Sequence, residues 1–502
     1  RALVPDGVFQ MLKISGLGPK KVKVLWKKYA ITNLGDLKMS CERHALKALP
    51  GFGIKTEENI LAGIESLKKF SGKWLYIEAQ RWAEEVLSDV AKIKGVVRVE
   101  IAGSIRRKKE VVKDIDIVAA ADNSAHIMKA FVSLPYVDRI VQHGKTKSEV
   151  ILNSGIQCDL RVVSNDEYPF ALHHFTGSKE HNVSVRTRAV RQGLRVNEWG
   201  VFRVPEDADP ETLEKEDGER LAGDTEEGVY EALGMRWVPP VLRENRGEVE
   251  SATSGELPAL VSLEDMKGDL QMHSTWSDGE ASIEEMARAC LGRGYEYFAL
   301  TDHSQAMAMV GGLTPERARA QWEEIAEVQE GVPEILILRS VEVDILKDGS
   351  LDLPDDVLEE LDVVVVSVHS LMDQDRKTMT ERVIRAIRHP SVDILAHPTG
   401  RRINRREPFE MDVEAVLEVA AAASVAVELN ANPNRLDLND VHVHRAQELG
   451  VPVVISTDAH SPRGLADMRY GVDQARRGWL EAADVLNTRS VEDMKTWLGR
   501  RA

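Results

Sequence analysis

The chain has 502 residues, 43% of them hydrophobic and 29% charged, a globular mixture that excludes wholesale disorder and suits about three domains. Its apolar runs fall far short of the roughly 18 residues needed to cross a bilayer, and no signal-peptide pattern opens it. A formal net charge of −17 argues against nucleic acid only until it is divided: residues 1–200 carry 33 basic and 22 acidic side chains, 201–250 carry 6 and 15, and 251–502 carry 26 and 45. Such asymmetry points to two machines on one chain, the first a polyanion binder. Cys41, Cys158 and Cys290 lack CxxC spacing, which suits a reducing cytoplasm. The sequence begins at Arg1, mid-pattern and without Met, as a chain shortened at its N-terminus would.

In chain order, residues 8–69 read as short helices punctuated by Gly16-Leu17-Gly18-Pro19 and Gly51-Phe52-Gly53. Both turns sit in one frame: an apolar approach, Gly-x-Gly, then a basic amphipathic helix. Backbone N–H groups at such a helix start can face a phosphate, with Lys20, Lys21 and Lys23 or Lys55 close behind. Contacts of that kind position a duplex without reading its bases. Ordinary interhelical turns with solvated lysines are the plainer alternative; two tandem copies favour DNA. Residues 73–94 carry helical spacing, and β-type runs follow at 96–102, 115–119, 149–152 and 157–163. From 206 to 256 the chain is acidic and rich in Gly and Pro, and 247–262 reads as an interdomain linker. Beyond residue 263, apolar runs at 295–301, 335–341, 362–368, 392–396, 425–429 and 452–456 alternate with helical stretches such as 283–293 and 413–423. A short run before Gln271 completes seven strands, and such alternation predicts parallel βα units closed into a barrel.

Two constellations carry chemistry. Asp114 and Asp116 are two apart at the mouth of a strand, so both carboxylates face one side, and Asp159 opens a run that can lie alongside. Three converging carboxylates repel unless they hold divalent cations, and oxygen donors suit Mg²⁺ or Mn²⁺. Upstream, Gly103-Ser104-Ile105-Arg106-Arg107 offers amides, a hydroxyl and guanidinium groups to a triphosphate. The pair suggests in-line nucleotidyl transfer with two ions. In the barrel half, Gln271, His273, Asp302, His303, Glu342, His369, His397, Asp458 and His460 fall at the C-terminal ends of predicted strands, where barrel active sites are built. That donor mixture suits Zn²⁺, Mn²⁺ or Fe²⁺ acting on a phosphoester. His389, His442 and His444 fall in helices or loops and read as ordinary.

Together these segments resemble the bacterial family X DNA polymerases that carry a C-terminal PHP (polymerase and histidinol phosphatase) domain. The resemblance implies a multidomain α/β chain: helix-hairpin-helix fingers at 1–70, an α+β nucleotidyltransferase palm at 71–172, a thumb at 173–246, a linker at 247–263, and a distorted (β/α)7 PHP barrel at 264–502. It makes Asp114, Asp116 and Asp159 the palm metal ligands, and Gly103, Ser104 and Arg107 the triphosphate contacts. Arg161 would sit beside the carboxylates. Residues 174–182 (HFTGSKEHN) resemble the segment walling the nucleotide pocket. Phe175 and Gly177 would flank the sugar, Lys179 the nucleotide and Asn182 its base edge, with Arg186 near the template. The turns at Gly16, Gly18 and Lys20 and at Gly51, Gly53 and Lys55 would hold DNA. Asn197-Glu198-Trp199-Gly200 matches a thumb motif. The segments DLQMHSTWSDG, TDHS, EVD, SVHS, AHPT and STDAH resemble the PHP signature, which makes Gln271, His273, Asp278, His303, Glu342, His369, His397, Asp458 and His460 its Zn²⁺ or Mn²⁺ ligands.

Three positions depart from the family pattern. His174 stands where an aromatic helps exclude the ribose 2′-hydroxyl, Lys113 replaces a glycine before the first aspartate, and Gln271 replaces the first His of a His-x-His pair, which weakens one metal position. The family's N-terminal lyase-like domain has no counterpart in these residues, so no deoxyribose-phosphate lyase activity is expected. The expected function is filling short gaps in repair on gapped or nicked duplex DNA with dNTPs, by a monomer of the nucleoid-associated cytoplasm with no membrane role. To this the barrel adds 3′–5′ exonuclease or 3′-end phosphoesterase chemistry. The alternatives are a barrel phosphatase with an impaired polymerase core, and a non-catalytic DNA-end scaffold.

Overall fold

The structure is a computed structural model; it describes residues 4–499 apart from 15–16, 48, 70–71, 205–217 and 222–224. Gly16, expected at a DNA-facing turn, lies outside the described residues. The chain divides into two compact units, residues 1–73 with 402–407, and residues 74–401 with 408–502.

In the first unit, helices Asp6–Met11, Pro19–Tyr29, Leu34–Glu42 and Ile54–Lys69 surround a core that includes Leu25, Leu37 and Ile60. The repeated turn shows in its plugs: Leu17 and Phe52, the middle residues of the two Gly-x-Gly sequences, are both buried. Each drops an apolar side chain inward, while Gly18, Gly51 and Gly53 stay exposed. The second hairpin is braced by Glu57, whose buried Oε1 accepts from the N–H groups of Leu46 (2.8 Å) and Lys47 (2.9 Å).

The second unit opens with helix Tyr76–Ala91 and a five-stranded sheet in the order 96–101, 114–121, 157–163, 147–152, 137–143. The four predicted strands form. The fifth, Val137–His143, shows almost no alternation of burial, because it is an exposed edge, and so carried no period-two signal. Helices Tyr168–Thr176 and Lys179–Arg191 and the antiparallel strands 194–197, 200–203 and 219–221 follow over a separate core around Phe170, Val185 and Tyr230.

The C-terminal half is a seven-stranded parallel sheet whose strands run in sequence order, beginning at Gly268–Asp269 and ending at Val453–Ser456. Its two edges meet through a parallel bridge between Met272 and Ala459, so the barrel is nearly closed. The seven-strand reading and the predicted runs hold, since continuous Val/Ile stretches buried on both faces are what a helix-covered parallel sheet demands. The segment expected as a linker carries a helix of its own. Residues 248–254 form a helix with Val249 and Ala252 in the core of the preceding domain, and the Val261 N–H bonds the Leu480 carbonyl. The Glu248 carboxylate is buried against His181 (2.6 Å) and does not face water. Among the described residues no helix is long and apolar enough to cross a membrane.

Candidate active sites

Asp114 and Asp116 open strand 114–121, which pairs in parallel with 157–163 so that Asp116 stands directly opposite Asp159. The alternation of one strand and the register of its neighbour thus bring three carboxylates to one face. Burial, together with Asp114 and Asp159, pushes the Asp116 carboxyl up to about 7, and burial with Asp159 raises that of Asp114, against the favourable charge of Lys113. Gln157 donates to Asp159 Oδ1 (2.9 Å), and Lys147 Nζ lies 3.5 Å from Oδ2. A cluster this reluctant to ionise fully fits a divalent cation.

The glycine of the Gly-Ser loop has a steric reason. Gly103 has φ +60°, and a Cβ there would lie 2.0 Å from Asp116 Oδ2. Helix Gly103–Arg106 then turns the two arginines to different tasks. Arg106 forks onto Glu226 (2.8 and 2.9 Å) and reaches Thr176 Oγ1 (2.7 Å). Arg107 donates to Glu244 (3.0 Å) and to the Thr176 carbonyl, and its charge favours the ionised form of Asp116. Glu226 is held well below the usual carboxylate range: Arg243 and Arg106 outweigh its burial. Sequence reasoning missed Glu226 and Glu244. They lie in or beside the acidic stretch, 120 and 137 residues from their partners, and nothing local distinguishes them from solvated acids.

Helix Tyr168–Thr176 ends at Gly177 (φ +66°), and Ser178 caps the next helix by accepting from the His181 N–H (3.2 Å). Phe175 lies under the Arg161 guanidinium (4.1 Å to the ring centroid), and the ring of His174 meets it edge-on at 4.9 Å. Burial lowers the His174 pKa despite Glu198 nearby, so at neutral pH the ring is uncharged. Asn182 donates to the His174 carbonyl (2.8 Å), while its buried Oδ1 has no partner. Lys179 and Arg186 are exposed on this helix.

At the barrel mouth, ligating atoms of His273, Asp278, His303 and His460 lie within 4.8 Å of one another, and His303, Glu342 and His369 form a second such group. Asp458 lies 3.1 Å from His273, and His397 2.9 Å from Glu342. Burial opposes the protonation of His303, but Glu342 and Asp278 outweigh it and push its pKa up to about 11. Gln271 fits the same centre: 1% exposed, it leaves both Oε1 and Nε2 without a partner while its carbonyl accepts from the Asp458 N–H. A buried amide oxygen with nothing to bond is a vacant donor for a cation. His397 (φ +26°) and Asp458 (φ +54°) take left-handed backbone that non-glycine residues rarely adopt, and both sit at this mouth. Asp302, at the end of its strand, is otherwise occupied: its carboxylate accepts from Ser274 (2.6 Å) and Gln321 (2.7 Å) and anchors the loop.

In the first unit, Gly18 caps helix Pro19–Tyr29 with extended backbone, and Gly51 has φ +82°. A Cβ at Gly18 or Gly53 would meet nothing within 4 Å. Open space at a helix start, with exposed Lys20 or Lys55 one or two residues on, leaves room for a phosphate.

A palm-type sheet with paired aspartates beside a Gly-Ser loop, in one chain with a histidine-lined parallel barrel, defines a nucleotidyltransferase joined to a metallophosphoesterase domain. Family models match in three places: a SAM-like helix-hairpin-helix tandem at residues 9–66, the DNA polymerase beta thumb at 171–244 and the PHP domain at 269–432. The DNA polymerase/3′-5′ exonuclease PolX of Bacillus subtilis (strain 168) is 41% identical over 499 residues, 99% of this chain and 85% of that protein. A probable phosphatase of Thermoanaerobacter sp. (strain X514) is 31% identical over 246 residues, 46% of this chain and 95% of that one. A Leishmania infantum polymerase beta in a ternary complex is 21% identical, covering 48% of this chain and all of that one, with a TM-score of 0.31, too low to speak for a shared fold. The chain belongs to the family X DNA polymerases with a C-terminal PHP domain.

Proposed function

We propose that the chain is a DNA-directed DNA polymerase that fills short gaps during repair and whose barrel removes nucleotides from 3′ ends. The observation that carries this reading is the direct pairing of Asp116 with Asp159, with Asp114 two residues away and Gly103 pressed against Asp116. Asp114, Asp116 and Asp159 would hold Mg²⁺ or Mn²⁺, which when bound promotes attack by a primer 3′-hydroxyl and offsets charge on the leaving pyrophosphate. Around them, Gly103 and Ser104 present backbone and hydroxyl to the triphosphate, and Arg107 supplies a fixed positive charge. Phe175 and Gly177 flank the sugar, Lys179 approaches the nucleotide, and the unpartnered Oδ1 of Asn182 is free for the base edge. Arg186 faces the template. His174 serves as an uncharged ring beside Phe175.

At the barrel mouth, Gln271, His273, Asp278, His303, Glu342, His369, His397, Asp458 and His460 would hold Zn²⁺ or Mn²⁺, ions that when bound make water a nucleophile towards a phosphodiester. The partners are gapped or nicked duplex DNA and dNTPs, and the place of action is the nucleoid. The protein acts as a monomer. Primer extension on a one-nucleotide gap, with palm and barrel altered separately, tests the division of labour.

The raised pKa of Asp116 gives the palm a pH signature. Below about 7 a proton competes with the cation, so Mn²⁺ affinity rises with pH, by up to about tenfold per unit on the acid side. The sign for the metal-free protein is opposite. Its folded state keeps a proton that the unfolded carboxyl releases near 3.8, so this group's contribution to stability falls as pH rises from there to about 7. Mn²⁺ titration at pH 6 and pH 8 shows the difference, and Asp116→Asn removes the palm's share of it.

DNA affinity rests on residues 1–200 and falls steeply with salt. Lys55→Ala lowers the slope of log K against log salt by about 0.9. Gly53→Ala leaves the fold intact, since its Cβ meets nothing within 4 Å, yet weakens binding by filling the space a phosphate needs. Titration of a gapped duplex at several salt concentrations reads both.

A further inference from the structure

The triphosphate loop is held from behind by the barrel. Helix Met468–Arg477 lies against the barrel's last strand and turns one face to residues 107–108 of the palm. Arg477, 3% exposed, donates through Nη1 to the Arg107 carbonyl and to Glu244 Oε1 (3.1 Å), and through Nη2 to Asp440 (2.7 Å). Gln474, buried three residues earlier, donates to the Lys108 carbonyl (2.8 Å), and Asp473 lies 3.5 Å from Lys108 Nζ. Lys108 itself takes left-handed backbone, φ +59°, a conformation that costs a non-glycine residue energy and persists only when its surroundings hold it. None of Asp473, Gln474 and Arg477 belongs to the candidate metal groups of the barrel mouth.

Glu244 is the shared element. Its Oε1 takes both Arg107 Nε (3.0 Å) and Arg477 Nη1 (3.1 Å), and Lys109 Nζ lies 3.7 Å from Oε2. A carboxylate fully committed to Arg107 would compete with a triphosphate for that guanidinium. Each cation Glu244 acquires from elsewhere weakens that competition, and Arg477 brings one in a largely shielded, charge-assisted contact.

We propose that Arg477 of the barrel is a positioning residue of the polymerase site: it fixes the Arg107–Lys108 backbone and neutralises Glu244, leaving the Arg107 side chain available to the triphosphate. The inference rests on the reading of Arg107 as a triphosphate contact. It makes the barrel a structural part of nucleotide binding as well as the seat of its own activity.

The test is steady-state incorporation on a gapped duplex by the full chain, separating KM for dNTP from kcat. Arg477→Met raises KM about five- to tenfold, with kcat within about twofold. Arg477→Lys, which keeps a charge near Glu244 but cannot also span to Asp440 and the carbonyl, falls between. Glu244→Gln added to Arg477→Met lowers KM again, because the competing carboxylate is gone. Removal of 3′ nucleotides by the same variants stays unchanged. An unchanged KM in both Arg477 variants, a double variant worse than the single one, or a joint collapse of kcat and 3′-end removal would each overturn the proposal. Arg107→Ala separates the two levels. If it leaves KM unaltered, the reading of Arg107 fails; if it raises KM while Arg477→Met does not, only the coupling fails.

Discussion

Asp116→Ala is expected to lower nucleotide incorporation by more than about 10³-fold, over 4 kcal/mol of transition-state stabilisation, while affinity for gapped duplex changes less than about twofold. The asymmetry follows from the architecture. Asp116 lies at the centre of the carboxylate cluster, opposite Asp159 and against Gly103, so its removal takes away the oxygen ligand that both neighbours depend on. The DNA grip assigned to the two Gly-x-Gly turns belongs to a different compact unit. Truncation also relieves a buried, repelled carboxyl, so the variant melts no lower than the parent in the absence of metal. Single-nucleotide incorporation alongside a mobility-shift titration measures both quantities. Incorporation at a parental rate would overturn the assignment of the palm.

Asp458→Ala is expected to abolish removal of 3′ nucleotides with Mn²⁺ and to leave gap filling near the parental rate. Asp458 bridges the mouth: it lies 3.1 Å from His273, takes a 3.2 Å hydrogen bond from Asn430 and has Arg435 at 3.5 Å. Without it the His273 side of the centre keeps Asp278 but loses the carboxylate nearest to His273. Gln271→His moves the other way. An imidazole nitrogen binds these ions more tightly than an amide oxygen, so the metal concentration for half-maximal 3′-end removal falls severalfold. Removal of 3′ nucleotides that survived Asp458→Ala would place the activity elsewhere.

How much of this was legible in advance differs by element. The three palm aspartates were legible because strand alternation is strictly two-residue: Asp114 and Asp116 had to share a face whatever the fold. Their convergence with Asp159 required the register of two strands separated by more than thirty residues, and only the parallel pairing supplied it. The candidate barrel donors stood out as a set, since repeated apolar runs each ended in a His, Asp or Glu. Their division was not. His303 belongs to both groups, while Asp302 beside it is consumed by Ser274 and Gln321. Adjacent residues in a chain carry no mark of which one faces the cavity.

The acidic stretch after residue 206 shows the limit most plainly. By composition it was a solvated connector, yet the buried Glu226 and Glu248 and the half-buried Glu244 are partners of Arg106, His181 and Arg107. A carboxylate's role is set by what stands opposite it, and those partners lie 67 to 137 residues away.

The sequence by itself pointed to a DNA grip and two chemical constellations, because periodicity, turn glycines and donor types are local properties written into consecutive residues. It also determined the charge asymmetry behind the net −17. Only the tertiary structure decided which acids cluster at the two candidate sites and which serve as counter-ions elsewhere, that the segment after residue 247 is packed, and that a barrel helix contacts residues 107 and 108 behind the Gly-Ser loop. Ion pairs and carbonyl contacts act at a few ångströms across distant parts of the chain, and no local pattern encodes that distance.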